Sequence, residues 1–67
     1  MNTIEIEKPV CKLAGENGNI YNLTALATNA LKRNNQRGKI AEMKSRVSSA
    51  ANYDTALAII QEYVIAE

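Results

Sequence analysis

The spacing of hydrophobic and polar positions changes once decisively along this chain. Thr3 to Glu7 alternates apolar with polar, and Val10 to Leu13 alternates again, with Cys11 and Leu13 on one face and Val10 and Lys12 on the other. A period of two is the mark of a half-buried strand. The phase slips by one across Lys8-Pro9, and two residues that include a proline do not reverse a chain comfortably. The pattern therefore predicts a strand over 9–14, preceded by an extended arm over 1–8 as its bulged continuation. From residue 20 the period lengthens to that of a helix.

Apolar residues at 20, 23, 26, 27, 30 and 31 predict a first helix over 20–34. Ile20, Leu23, Ala27, Ala30 and Leu31 share one stripe, and Tyr21, Thr24, Thr28 and Lys32 fall on the opposite flank. Asn19 is the expected N-cap, with Asn22 as a second candidate, and Asn34-Asn35 supplies a left-handed stop. Ile40, Met43 and Val47 make a narrower stripe for a second helix over 37–48, weakened in its first turn by Gly38 and closed by Ser48, Ser49 and Asn52. A third helix over 53–64 opens at Asn52 or Asp54. It carries the broadest apolar face, formed by Tyr53, Ala56, Leu57, Ile60, Tyr63 and Val64 and widened by Ile59.

The fold class expected is a small single-domain α+β fold: one short N-terminal strand, then three helices, with the tail 64–67 free to leave the last helix as a short C-terminal strand. A lone strand leaves its backbone donors and acceptors without partners. The arm at 2–7 and the tail at 63–67 are the candidates to pair with it, and we favour the tail, antiparallel to 9–13. An edge left open would accept a second copy or another protein.

Composition narrows the chemistry. The chain has 67 residues, 46% of them hydrophobic and 22% charged, a globular balance, and a domain of this size buries only about 60% of its unfolded surface. With three tyrosines as its only aromatics, the core must be built from Leu, Ile, Val and Ala. The lone Cys11 excludes an internal disulfide, and the absence of histidine removes the zinc sites and triads that need one. Cys11 is expected to be a small buried hydrophobe, with Lys12 the one basic neighbour in sequence able to lower its pKa. The first eight residues carry Glu5 and Glu7 and no long apolar run, so neither a signal peptide nor a membrane span is expected, and the cytoplasm is the compartment inferred.

At this point the chain resembles a known group. The short strand, the run Leu13-Ala14-Gly15-Glu16-Asn17-Gly18-Asn19, the helix end Ala30-Leu31-Lys32-Arg33 and the closing segment from Tyr53 to Val64 are similar to a family of short uncharacterised proteins of bacteria and their phages or mobile elements. The likeness covers residues 10–65. Residues 1–8 are an extra arm, and Asn35 stands where glycine is expected after the first helix. The resemblance implies the fold and a mobile-element setting. With no established activity in the family, it implies no site residue.

The most chemical-looking stretch is Gly15-Glu16-Asn17-Gly18. It lacks the Lys-Ser/Thr of a P-loop and the third glycine of a dinucleotide fingerprint, and Glu16 sits where a phosphate would have to. A KH-type clamp on RNA lies between helices, whereas this run follows a strand and is acidic. The glycines are read as turn residues and the asparagines as caps. Nor does any spacing bring two carboxylates together beside a base, and so small a core leaves little room for a water-excluded pocket. No catalytic, cofactor-binding or metal-ligating residue is expected, no cofactor and no small-molecule substrate.

Charge is the feature with functional colour. Residues 32–46 hold six cations against the single carboxylate of Glu42, a balance of +5; the rest holds two cations against six carboxylates, a balance of −4. Lys32 and Arg33 suit a helix C-terminus, and Lys39, Glu42 and Arg46 are spaced for salt bridges across Glu42. Arg37 and Lys39, near the start of the second helix, oppose its dipole. The candidate anion or nucleic-acid contacts are thus Lys32, Arg33, Arg37 and Lys39. A helix-turn-helix is rejected, because its recognition helix over 53–64 would hold Asp54 and Glu62 and no cation. The function expected is a non-enzymatic protein-interaction module, its partner an unknown protein or itself. A nucleic-acid accessory protein working through 32–46 is the alternative.

Overall fold

The computed structural model describes residues 8–13, 15 and 17–67. The arm expected over 1–8 lies outside the described residues except for Lys8, whose Nζ donates to the Gln61 carbonyl at 3.1 Å. The elements run β1 (Val10–Cys11), α1 (Ile20–Arg33), a 3-10 turn (Arg37–Lys39), α2 (Ile40–Ser48), α3 (Tyr53–Ile60) and β2 (Ile65–Ala66). This is the α+β architecture that the alternation and the helical stripes predict, with the C-terminal strand pairing with the first.

The direction of that pairing corrects the expectation. β1 and β2 are parallel, with Val10 opposite Ile65 and Cys11 opposite Ala66. The ladder is carried by Ile65 N–H to the Pro9 carbonyl at 2.8 Å, Glu67 N–H to the Cys11 carbonyl at 3.0 Å, and Leu13 N–H to the Glu67 carbonyl at 2.8 Å. Parallel neighbours need a long crossover, and the three helices supply it. Helix α3 also stops earlier than its apolar face suggests. It ends at Ile60, and Glu62, Tyr63 and Val64 bond back to the carbonyls of Ile59 and Ile60 in a tight turn. That turn drives Tyr63 and Val64 into the core before the chain extends, so both are buried without being helical.

Local chemistry fixes the helix ends. Asn17 Oδ1 accepts from the Asn19 N–H at 2.9 Å, and Asn19 Oδ1 accepts from the Tyr21 N–H at 2.8 Å as the N-cap of α1. Gly15 turns the chain out of the strand at φ +81, a conformation L side chains rarely adopt. At the far end Gln36 N–H reaches the Leu31 carbonyl at 2.9 Å and Asn35 N–H the Lys32 carbonyl at 3.3 Å, with Asn35 at φ 59. This is a Schellman stop with asparagine in the left-handed place glycine usually holds. Asn52 caps α3 by accepting from the Thr55 N–H at 2.9 Å.

The core gathers Cys11, Leu23, Ala27, Ala30, Leu31, Met43, Ile59, Ile60, Tyr63 and Val64. Leu31, Met43, Ile60 and Val64 are fully enclosed, and burying a side chain of that kind stabilises by about 1.5–3 kcal/mol. Cys11 is a buried free thiol, and burial pushes its pKa up. The cation that partly offsets this rise is Arg33 on α1, not the neighbouring Lys12. Two residues depart from their expected faces. Tyr53 remains half-exposed because its hydroxyl donates to the Gly18 carbonyl at 2.6 Å, tying α3 to the entrance of α1. Thr28, on the polar flank of α1, is only 6% exposed. Helix α1 packs against α2 as well as against α3 and β1, so its buried arc reaches past the apolar stripe.

Candidate functional site

Helix α2 divides the molecule's surface chemistry into two. On one side Met43 goes to the core, and Glu42 and Arg46 flank the turn that leaves α3. Arg46 grips Glu62 with both guanidinium ends, at 2.7 and 3.0 Å, donates to the Tyr63 hydroxyl at 3.1 Å, and stands 5.7 Å from the centre of the Tyr63 ring. Tyr63 donates in turn to Glu42 Oε2. The bridges expected across Glu42 within α2 therefore do not form: Arg46 turns to a carboxylate sixteen residues on, and Glu42 takes the phenol. The Arg46 hydrogen bond holds the Glu62 carboxyl below its ordinary range, and the bond to Glu42 raises the Tyr63 phenol above its own. Arg46, Glu62, Tyr63 and Glu42 thus each have a partner here.

The other side of α2 is unfinished. Between it and α1 runs a half-open groove of about 590 Å³, lined by Ile20, Tyr21, Thr24, Ala25, Thr28 and Asn29 of α1 and by Lys44, Val47 and Ser48 of α2. Thr24 satisfies its hydroxyl on the Ile20 carbonyl at 2.7 Å. Thr28 Oγ1, one turn later and buried, has no hydrogen-bond partner. At the rim Tyr21 is 83% exposed, the barest large apolar side chain among the described residues. Sequence periodicity puts Tyr21 and Thr28 off the core stripe, but cannot show that a second helix stands beside them to form a concavity.

At the end of α1 lie the four cations picked out from the sequence. Lys32, Arg33 and Arg37 are exposed and Lys39 is half-buried. The structure keeps all four in the segment around the Schellman turn, and none forms an ion pair among the described residues, where Arg46–Glu62 is the one salt bridge. Arg46, paired with Glu62, thus leaves the basic set.

Among the described residues no group of three or more His, Cys, Asp or Glu side chains could hold a metal ion, and no helix is long and apolar enough to cross a membrane. Comparison with protein-family models, with curated proteins and with solved structures finds no match to this chain. The functional reading therefore rests on its own residues.

Proposed function

We propose that this chain is a small, non-enzymatic protein-interaction module that self-associates through the face shared by α1 and α2. The observation that carries the reading is the pairing of a concavity with a projecting aromatic on one patch: Tyr21 lines the groove and also stands 83% exposed at its rim. A two-fold contact needs a surface complementary to itself. This patch offers a tyrosine, the side chain most suited to anchor an interface, beside the small residues Ala25 and Thr28, over which a second α1 can approach closely. The phage or mobile-element setting rests on the family resemblance alone.

Sedimentation equilibrium across a concentration series tests it. The expected result is a weak dimer that Tyr21→Ala loosens and Ala25→Arg abolishes, with the melting transition of the monomer preserved. A chain that remains monomeric up to about 1 mM, the weak limit of specific association, overturns self-association.

A further inference from the structure

We infer that the turn joining α1 to α2 is a binding site for the phosphate backbone of a nucleic acid, independent of the groove and of any dimer. Lys32, Arg33, Arg37 and Lys39 lie within eight consecutive residues, and the structure gives three reasons to read them as more than solvated surface.

The first is that none of the four forms an ion pair among the described residues, where the one salt bridge joins Arg46 to Glu62. Glu42, three residues past Lys39, accepts from Tyr63, and Glu62 is held by both ends of Arg46. Both side chains bond to partners at the junction of α2 and α3.

The second is order. Besides the two bonds of the Schellman stop, Asn34 Nδ2 donates to the Ala30 carbonyl at 2.8 Å and Lys39 N–H to the Gln36 carbonyl at 3.0 Å. The four cations are thus carried on a hydrogen-bonded backbone of fixed shape, which lowers the ordering cost of binding.

The third is the place of Arg37 and Lys39. They precede α2, whose first N–H groups carry the positive end of the helix dipole. Helices α1 and α3 meet this field with asparagine oxygens, at Asn19 and Asn52. Helix α2 continues from the 3-10 turn, with Ile40 N–H donating to the Arg37 carbonyl, so Arg37 and Lys39 stand in the first turn of one helical segment, where the dipole opposes cations. Folding alone does not explain cations there; an anion at that point would meet both the helix end and the side chains. None of the four lines the groove. A single small anion would reach few of them. A chain of regularly spaced phosphates can engage several at once, and phosphate contacts of this type bind without reading sequence.

The test uses the full chain with a mixed-sequence DNA duplex of about 20 base pairs, a single strand of RNA of the same length, heparin and inorganic phosphate, titrated at several salt concentrations. Duplex or single strand should bind at about 50 mM salt. The slope of log affinity against log salt should be near −3 if three to four phosphates are met, at about 0.9 per contact on duplex DNA and about 0.7 on a single strand. Arg37→Glu should weaken binding about tenfold or more and flatten the slope by about one contact. Lys12→Glu makes the same change of charge beside β1 and should leave both unchanged. Equal loss in the two variants, binding to heparin without binding to either nucleic acid, displacement by millimolar phosphate, or no binding at low salt would each overturn the proposal; the last would point instead to an acidic protein surface as the ligand of the turn. Circular dichroism of Arg37→Glu checks that the fold survives, and Arg33→Gln gives a second, milder variant with the same expected direction.

Discussion

The two flanks of α2 are finished differently. Toward α3 a guanidinium, two carboxylates and a phenol close on one another above Met43 and Ile60. Toward α1 a lysine, a valine and a serine face a groove whose buried threonine hydroxyl has no partner. A side that is complete contributes to stability and offers a partner little. A side left with concavity, an exposed aromatic and an unsatisfied oxygen is where association gains most.

The contrast breaks most visibly in the core. Ile60→Ala, at a fully enclosed position on the α3 side, should cost about 2–5 kcal/mol, a large fraction of what so small a domain has to lose. Val47→Ala on the groove side should cost under about 1.5 kcal/mol, because Val47 is only half-buried and the groove is already open. Urea melts of both variants make the comparison, and equal losses would show that the groove flank is packed as tightly as the other.

A sharper form exchanges hydroxyls. Tyr63→Phe leaves Glu42 without its donor and removes an acceptor from Arg46, and should destabilise by about 1 kcal/mol. Thr28→Val removes an oxygen that has no partner, and should be neutral or stabilising by about 1 kcal/mol. Opposite signs in one thermal-melt series would confirm that polar groups are satisfied on one flank only.

The smallest effect is on pH. The Glu62 pKa is lowered in the fold, so its contribution is present above the unfolded carboxylate value, about 4.3, and is lost as pH falls through the folded one. Tyr63 is shifted upward, so its contribution is present below the unfolded phenol value, about 10, and is lost as pH rises through the folded one. Arg46 and Glu62 are exposed, and the acid-side change in melting temperature should be slight and fade with added salt. Arg46→Gln should remove the acid-side step, and Val47→Ala should not.

What the sequence made legible follows the range of each interaction. Asn19, Asn35 and Asn52 act on backbone within a few residues, and their roles can be read from spacing. The core stripe of α1 is legible for the same reason. The partner of Arg46 is not, since helical spacing points to Glu42 and only the packing of α3 presents Glu62. Strand direction is equally hidden: residues 64–67 look alike whichever way the preceding turn sends them. Thr28 was misplaced because a stripe predicts burial against one neighbour, and α1 has several. Of the candidate site, the four cations were legible as composition; that none pairs with a carboxylate among the described residues was not. The groove exists only between helices.

The parallel ribbon also sets when the chain can finish folding. Val10 is joined to Ile65, a separation of 55 residues, and the last rung reaches Glu67. During synthesis α1 can form as soon as it clears the ribosome, but the β1 ladder is incomplete until residue 67 has emerged as well. Until then Cys11 and the underside of α1 lack part of their cover, because Tyr63 and Val64 arrive with the same turn. Folding of this domain therefore waits on residues 63–67, and its slow step should be the closure of its most distant contact rather than the growth of any helix.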